Sequence, residues 1–536
     1  MVDPQLAEGL AAALAQRNLE KGFQILALVD SDIGKVDLNT PGGPALLLLF
    51  AQWVDAGYRD YRILDSMLEK FPASGRRILP IEDYLSVRMA ESFRDLAANR
   101  PHAAISKLEL VLTAYSELPG TSQEAVAHFW KGRAHRKKGE YGTALKHIVR
   151  AREIAEANHD GFFAAVVQIQ ESWLQFQKGL SKEALQLLDR AESVLKLTDH
   201  YVALGNIESA RGRIVRRSGE YSKALEHYER ALEIYSRRDP NHVNVARTLV
   251  NIGYAQRLLA LQLRKRIDRV QSASRSNRAR PSAEPRETVL TKYQTTWRSA
   301  VDALTRAHAI YVLHDDFDGI GKVLSNLGYV HLDRGDIESA EDEACQAYQI
   351  GRRQNDHILM ARARILAAAI ENAHVEEQTG EDTDVAVHAN RARQYSEEAL
   401  SLAHETQNQR LLAGAAIARG MTAANDFFED WESARRFASE ATALIGPGES
   451  DHILEDLAVL KSRIVKASGI NDTLRCWSEG IVGDKTFQQI TEEFAEIVIP
   501  KVWLRSDRRI SRVATTLSIS PKKVRRILRN SGLISH

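Results

Sequence analysis

Residues 212–231 read GRIVRRSGEYSKALEHYERA, and this stretch decides the fold. Small residues stand at Gly212, Ala224 and Ala231, and Gly219 lies between two segments rich in helix-forming and apolar residues. The pattern predicts two antiparallel helices that approach closely where their side chains are small, with aromatic and aliphatic residues filling the remaining gap. Gly219 suits the turn between them because glycine adopts positive φ without strain.

The same pattern recurs along the chain at a fixed period of 40 residues. Three sets of equivalent positions mark it: Ala104, Ala144, Ala184 and Ala224; Val111, Ala151, Ala191 and Ala231; and Ser92, Gly132, Ser172 and Gly212. A constant period of this length indicates an array of repeated units, each of which buries its apolar face against its neighbours. We therefore predict an all-α superhelix of helical hairpins.

The combination of a small residue, a Gly-x-Tyr turn and paired alanines resembles the tetratricopeptide repeat. Clear copies span residues 132–151, 212–231 and 328–347, and weaker ones extend the resemblance over residues 45–467. The 40-residue spacing exceeds the ~34 residues usual for this family, which implies longer helices. The resemblance implies a right-handed superhelix of about nine to ten helix pairs, preceded by N-terminal capping helices in residues 1–44.

Two segments interrupt the period. Residues 264–290 form a basic insertion that is rich in proline and serine and poor in large apolar residues, so we expect its middle to be a mobile loop. This insertion is either a second nucleic-acid contact or a solvated surface segment. The acidic stretch 376–384 is predicted to be another loop, and residues 468–483 a linker to a C-terminal domain in residues 484–536.

The C-terminal residues 501–536 hold ten lysines and arginines against one acid, Asp507, although the formal net charge of the whole chain is only +1. A concentrated basic element of this kind is typical of nucleic-acid binding. Its apolar spacing predicts two short helices, one over residues 510–517 and one that begins at Pro521, where a missing N–H costs nothing. Ser520 is placed to cap the second helix.

The second of these helices is the predicted recognition helix. Burial of Val524, Ile527 and Leu528 would leave its basic residues facing phosphates and base edges in a major groove. The predicted DNA-binding set is Arg508, Arg509, Arg512, Ser520, Lys522, Lys523, Arg525, Arg526 and Arg529. The alternative is a basic helix that only packs or stays solvated.

The stretch RISRVATTLSISPKKVRRILRNSGL at residues 509–533 resembles the Fis-type helix-turn-helix that closes many bacterial transcriptional activators. Ser518 departs from the family pattern, because the family usually has Gly at this turn position, where positive φ is favoured. The resemblance implies duplex DNA as a partner. It also implies a possible homodimer through the preceding helix, which here falls in residues 484–503.

The resemblance to tetratricopeptide repeats also implies a concave ligand surface on the first helix of each unit. The residues that fall there are Arg133, Arg136, Arg213, Arg216, Arg247, Asn251, Tyr254, Lys322, Asn326 and Tyr329. Amides such as Asn251 and Asn326 commonly hold a peptide backbone in this family, and the cations would pair with carboxylates or phosphates. The alternative is ordinary solvated charge. Trp173 and Phe176 are either ligand anchors or core between repeats.

Composition and short motifs limit the classes of protein to which the chain can belong. Two cysteines, Cys345 and Cys476, offer no disulfide framework, and residues 1–10 lack the pattern of a secretory signal, so we expect a cytoplasmic protein. The resemblance to Fis-type activators implies that it is bacterial. The longest apolar run, residues 45–51, is too short to cross a bilayer. The histidines lack metal-ligand spacing and we find no catalytic or cofactor motif, so we expect no enzyme activity, metal or cofactor.

These features favour a bacterial transcriptional regulator whose helical array binds a peptide or partner protein and whose C-terminal domain binds duplex DNA. The alternative is a scaffold or adaptor whose array collects protein partners and whose basic tail serves as a docking element. The two hypotheses share the array and differ in the role of the tail.

Overall fold

The structure is a computed structural model that describes residues 4–29, 38, 40–58, 61–115, 121–275, 286–377, 382–445, 451–467, 477, 485–506, 508–530 and 533–534. Every regular element within these ranges is an α-helix. The chain divides into two compact units, Met1–Leu457 and Ala458–His536. No helix in the described ranges is long and apolar enough to span a membrane.

The first unit is a succession of helices joined by short turns. Its helices are α1 (Pro4–Ala15), α2 (Leu19–Val29), α3 (Gly43–Asp55), α4 (Ile63–Leu68), α5 (Ala73–Arg76), α6 (Ile81–Ala97), α7 (Pro101–Tyr115), α8 (Ser122–Lys137), α9 (Tyr141–Ala157), α10 (Gly161–Gln177), α11 (Ser181–Leu195), α12 (Tyr201–Arg217), α13 (Tyr221–Ser236), α14 (Val243–Arg275), α15 (Arg286–Leu313), α16 (Phe317–Arg334), α17 (Ile337–Gln354), α18 (His357–Glu377), α19 (Asp382–His404), α20 (Gln409–Ala423) and α21 (Trp431–Leu444). From α6 to α21 each odd-numbered helix packs against the helix before it, forming consecutive hairpins that also contact their neighbours. The predicted all-α superhelix of helical hairpins is confirmed.

Close helix contacts explain the small residues of the repeat. A Cβ added at Gly212 would lie 2.5 Å from Cε1 of Tyr228, and one at Gly132 would lie 2.7 Å from Cγ1 of Ile148. At the equivalent position in another unit, the hydroxyl of Ser172 donates to the carbonyl of Ala184 over 2.9 Å. Position 172 therefore tolerates a small polar side chain because the opposite backbone accepts its hydrogen bond.

The turns within the hairpins also follow the sequence pattern. Gly139 and Gly219 adopt φ of 81° and 78°, in the left-handed region that favours glycine. The N–H of Gly219 bonds to the carbonyl of Arg216, and the N–H of Gly139 bonds to that of Arg136. The turn role predicted for Gly219 is confirmed, and Gly139 fills the same role in the Gly-x-Tyr turn of the copy at residues 132–151.

The basic insertion is helical on both sides of its predicted loop. α14 continues to Arg275 and α15 begins at Arg286, so both flanks of residues 264–290 are helical. Leu263 and Trp297 are buried, which ties the start of each extension to the core of the array. The predicted loop centre at residues 276–285 lies outside the described residues. At the acidic interruption α18 reaches Glu377 and α19 begins at Asp382, which leaves less loop than predicted.

Within the first unit, early helices contact late ones, so residues about 250 or more positions apart in the sequence lie side by side. The contacts are Arg62 to Asp315 at 2.9 Å, Asn99 to Gln354 at 3.0 Å, Gln407 N–H to the Gly139 carbonyl at 3.0 Å, and Asn408 to the Tyr141 hydroxyl at 3.2 Å. At the N-terminal end, the carboxylate of Asp199 accepts from the N–H groups of Leu19 (2.6 Å) and Glu20 (2.7 Å). These two hydrogen bonds hold the start of α2, and with it the hairpin of α1 and α2, against the turn between α11 and α12.

The helix α22 (His452–Ala467) leads from the first unit into the second, which contains α23 (Phe487–Arg505), α24 (Ile510–Thr516) and α25 (Pro521–Asn530). The side chains that form their shared core are Ile499, Trp503, Val513, Ala514, Val524, Ile527 and Leu528. Thr486 and Gln489 form a capping box at the start of α23. The Ser520 hydroxyl accepts from the N–H of Lys523 over 3.2 Å and so caps α25, as predicted.

Candidate ligand groove and basic C-terminal surface

The ten residues that the sequence placed on a concave surface all lie on α8, α12, α14 and α16. None of them is fully buried, and Arg247 is exposed. Burial, followed by the charges of Arg133, Arg247 and Arg213, lowers the pKa of Arg136 to about 9. We call these ten side chains, on the first helices of four hairpins, the inner surface.

Several cations of the inner surface already have an acidic partner within the chain. Arg133 bonds to the carboxylate of Asp55 at 2.5 Å, and the indole of Trp130 donates to the same carboxylate at 2.9 Å. Lys322 pairs with Asp318 at 2.6 Å. The neighbouring Arg257, which lies over the ring of Tyr329 at 4.7 Å, pairs with Asp333 at 2.5 Å.

Arg216 and Tyr254 have partners that sequence reasoning missed. Asp451, directly before α22, has no exposed surface and accepts from Arg410 over 2.5 Å, with Arg216 3.9 Å away. Burial alone would raise the pKa of Asp451, but the charges of Arg410 and Arg216 hold it below its ordinary value. The Tyr254 hydroxyl lies 3.3 Å from Nδ1 of His452. Asp451 has no repeat-type spacing to these groups, so no sequence signal marks it.

Three cations of the inner surface lack such a partner. Arg136 lies over the Trp173 ring at 4.9 Å, Arg213 donates to the carbonyl of Ser209 at 3.2 Å, and Arg247 donates to the amide oxygen of Asn244 at 2.8 Å. These three arginines form no ion pair with an acidic side chain in the described ranges. Burial also lowers the pKa of Arg213.

The two predicted amides differ in the structure. Nδ2 of Asn326 donates to the carbonyl of Lys322 in its own helix over 2.7 Å, whereas the Asn251 side chain makes no hydrogen bond to another described residue. Asn251 is therefore the one with both donor and acceptor available. The two predicted aromatic residues differ as well. Phe176 is buried beneath the guanidinium of Arg217, whereas part of the Trp173 side chain is accessible.

The predicted DNA-binding side chains are exposed except for Lys523, which is half-buried. Lys523 and Arg526 turn towards α23, where both meet Glu492, Lys523 at 3.7 Å and Arg526 in direct contact. This pairing was not anticipated, because Glu492 lies more than 30 residues earlier in the chain. Lys522, Arg525 and Arg529 remain exposed and are not paired with a described residue.

An apolar face of α23 is also exposed. Phe487, Phe494 and Leu504 keep 84%, 48% and 56% of their surface accessible. Ile490 and Ile497 lie between them at three- and four-residue spacings and are half-buried. This is the spacing of a helix seam that packs against another helix.

The comparisons with known proteins concern the array. Residues 203–262, which cover most of α12, all of α13 and the first part of α14, match the tetratricopeptide repeat family. The chain therefore carries a tetratricopeptide-like helical superhelix. No curated protein matches the sequence of this chain.

Three solved structures are similar to the chain at low sequence identity. A Rap protein complexed with competence and sporulation factor is 13% identical, with a TM-score of 0.49, and the match covers 78% of this chain and 99% of that one. NprR in complex with its cognate peptide NprX is 16% identical, with a TM-score of 0.42 and coverage of 63% and 88%. A human IFIT1 dimer with m7Gppp-AAAA is 12% identical, with a TM-score of 0.44 and coverage of 83% and 96%.

Proposed function

We propose that this chain is a bacterial transcriptional regulator in which the helical array binds a peptide or protein partner and the C-terminal unit binds duplex DNA. The proposal rests on one observation, the amphipathic character of α25. Val524, Ile527 and Leu528 are buried, while Lys522, Arg525 and Arg529 are exposed on the remaining surface. A short helix of this kind can enter a major groove with its basic side on phosphates and base edges.

The connection between α24 and α25 supports a helix-turn-helix. Four residues, 517–520, separate the two helices, and Ser518 adopts a φ of 53° in the left-handed region. Glycine is favoured in that conformation, and the Fis-type family usually has glycine at this position. Ser518 thus adopts the family's backbone conformation despite its side chain, at a modest cost in strain.

The inner surface supports the ligand-binding half of the proposal. Asn251 offers an amide donor and acceptor for a peptide backbone, and the arginines offer charge-assisted hydrogen bonds to acidic groups. Trp173 adds a partly accessible aromatic ring beside Arg136.

The exposed face of α23 supports action as a dimer. A second copy of the chain could cover Phe487 and Phe494 with its own equivalent residues, as in a self-complementary two-fold interface. Two recognition helices would then read half-sites about one helical turn of DNA apart. The predicted DNA target is therefore an inverted repeat.

The test is binding of the full chain to duplex DNA fragments selected from genomic DNA, measured at several salt concentrations. We expect affinity to fall steeply with salt for the wild-type protein. Replacing Arg525 and Arg529 by glutamate should abolish specific binding and flatten the salt dependence. Arg237→Glu is the matched control, because Arg237 is an exposed arginine directly after α13 in the other unit. Equal and salt-independent binding by all three proteins would refute the DNA-binding role.

The exposed apolar face of α23 also fits a second candidate function, a scaffold with the C-terminal unit as a docking element. Under this alternative the face would receive another protein rather than a second copy. Partners held by the array would then be lost with Asn251→Ala and Asn326→Ala but retained after deletion of residues 484–536, whereas a partner bound to the α23 face would be lost on that deletion. A regulator would instead lose its DNA on that deletion.

A further inference from the structure

The start of α22 contacts the inner surface directly. Asp451, the residue before this helix, accepts a hydrogen bond from Arg410 of α20 over 2.5 Å and lies 3.9 Å from Arg216 of α12. Nδ1 of His452 lies 3.3 Å from the hydroxyl of Tyr254 on α14, and the two rings meet edge to face with their centroids 6.0 Å apart. Two consecutive residues therefore contact the first helices of three hairpins.

The next turn of α22 continues these contacts. Glu455 pairs with Lys265 of α14 at 2.7 Å. Ile453 and Leu457, one turn apart, are buried. Residues 451–457, which we call the anchor segment, thus place charged groups on arginine and lysine side chains and aliphatic groups out of solvent. An amphipathic helix that docks in a groove of another protein makes the same division.

Contacts of this range are unusual for the last helix of a repeat array. In such arrays each unit packs against its neighbours, so a terminal helix contacts the final unit. The anchor segment follows the hairpin of α20 and α21, yet Tyr254 precedes His452 by 198 positions. α12 and α14 belong to hairpins that are at least three units earlier in the chain than α20. The anchor segment therefore lies across the array, and not only at its end.

The buried position of Asp451 determines when this contact can be exchanged. Asp451 has no exposed surface, and Arg216 is itself largely buried. Withdrawal of the carboxylate alone would break the bond to Arg410 and take away the counter-charge that Arg216 faces, which is costly. A polar group of a bound partner in the same place avoids that cost. Displacement of the anchor segment is therefore favourable only when a partner takes its place.

We propose that the anchor segment is an internal occupant of the inner surface and that a partner bound to the array displaces it. This inference rests on the proposed ligand-binding function and adds the regulation of that site. It also specifies the partner as an amphipathic helical segment, because that is what the inner surface already holds. α22 continues to Ala467 and leads into the C-terminal unit, so its release would transmit partner binding towards the DNA-binding helices.

Competition by the chain's own sequence tests the proposal. The probe is a synthetic peptide of residues 451–467 with a fluorescent label at its C-terminus, titrated with the full chain and followed by fluorescence anisotropy. We expect the wild-type protein to bind it weakly, because the attached segment fills the site at a high effective concentration. Asp451→Ala should bind it at least about tenfold more tightly, since its own segment has lost the bond to Arg410.

Asp55→Ala is the matched control. This substitution also removes a carboxylate from an arginine of the inner surface, Arg133, but it lies on α3 and not in the anchor segment. Its affinity for the peptide should equal that of the wild-type protein. A second control is the same peptide with Asp451→Ala, which should bind the Asp451→Ala protein at least about tenfold more weakly than the unmodified peptide does.

Glu455→Gln provides a milder variant in case Asp451→Ala does not fold. This substitution removes only a partly exposed ion pair with Lys265, so the fold should be retained. We expect it to raise the affinity for the peptide by about two- to fivefold. Circular dichroism establishes whether each variant is folded.

Three outcomes would overturn the proposal. Equal affinity of the wild-type and Asp451→Ala proteins for the peptide, including no measurable binding by either, would make α22 a permanent part of the array. A comparable gain in Asp55→Ala would indicate general loosening instead of the release of one segment. Loss of the folded state in both α22 variants would assign the segment a structural role. Failure of the regulator function would appear separately, as peptide competition without salt-dependent DNA binding.

Discussion

The side-chain carbonyl of Gln407 accepts a hydrogen bond from the backbone N–H of Gly142 over 2.9 Å, although 265 positions separate them. The next residue, Asn408, donates to the hydroxyl of Tyr141 and uses its own amide oxygen to cap α20. These bonds join an early hairpin to a late one. No single repeat contains these contacts, which depend on the tertiary arrangement of the array.

Tyr141→Phe should weaken the contact between the early and the late hairpin. The substitution removes the acceptor of the buried Asn408 amide, so we expect a loss of about 1–2 kcal/mol in the free energy of unfolding. Tyr221→Phe is the matched control, because Tyr221 is buried at the equivalent position two repeats later and its hydroxyl bonds to no described residue. Urea unfolding of both variants tests the prediction, which fails if they lose equal stability.

Ala224→Arg should disrupt a contact between helices. Ala224 has no exposed surface, so the new side chain would combine overpacking with a buried charge and cost at least ~2 kcal/mol. Ala443→Arg introduces the same side chain at an exposed position of α21 and should be nearly neutral. Thermal melting followed by circular dichroism distinguishes the two, and an unchanged melting curve for Ala224→Arg would contradict the repeat alignment.

Gly212→Ala tests the close approach within a hairpin. Its Cβ would lie 2.5 Å from the ring of the buried Tyr228, which must shift, and we expect a cost of roughly 1–3 kcal/mol. Gly161→Ala, at the start of α10, has no atom within 4 Å of the new Cβ and should be neutral or slightly stabilising. Chemical denaturation of both variants provides the measurement. Equal stability would mean that the helices can separate without cost.

Acid should destabilise the hairpin of α8 and α9. Nδ1 of His128 lies 2.8 Å from Nδ1 of His147. Burial, with the charges of Arg150 and Lys131, lowers the pKa of His128 to about 4, and burial likewise lowers that of His147 to about 3. The unfolded chain binds these protons near pH ~6.5, so their contribution to stability is complete above that pH. It is lost as the pH falls from about 6.5 towards 4.

The measurement is urea unfolding at pH 7 and pH 5. We expect the wild-type protein to lose at least about 1 kcal/mol between these values on account of the histidine pair. Combined His128→Gln and His147→Gln should reduce that difference, even if it lowers stability at pH 7. His404→Gln, at an exposed position, serves as the control. An unaltered pH dependence in the double variant would show that other groups carry it.

Phe494→Glu should prevent dimerisation through α23. The substitution places a charge within the apolar face that a second copy would cover, and burying an unpaired charge opposes association. We expect sedimentation to show a monomer and the affinity for an inverted-repeat DNA site to fall at least tenfold. Phe427→Glu, at another exposed phenylalanine, is the control. A monomeric wild-type protein at micromolar concentration would refute the dimer.

Local pattern was enough to predict the repeat, the turns and the short helices of the C-terminal unit. Gly212, Gly219 and Ser520 act over distances of a few residues or between adjacent helices, so their roles follow from spacing and backbone preference. The exposed basic side of α25 followed in the same way. The sequence did not show how far α14 and α15 extend into the basic insertion, because a charged sequence can continue a helix when its hairpin partner does.

The sequence by itself determined an all-α array of hairpins and a basic unit after it, because helical periodicity and small-residue spacing are local properties of the chain. Only the tertiary structure decided which cations have partners. Asp55 reaches Arg133, Asp451 reaches Arg410 near Arg216, and Glu492 reaches Arg526, all across long stretches of sequence. Ion pairs of this kind form where the tertiary fold brings distant parts of the chain together. A periodic sequence pattern does not specify those contacts.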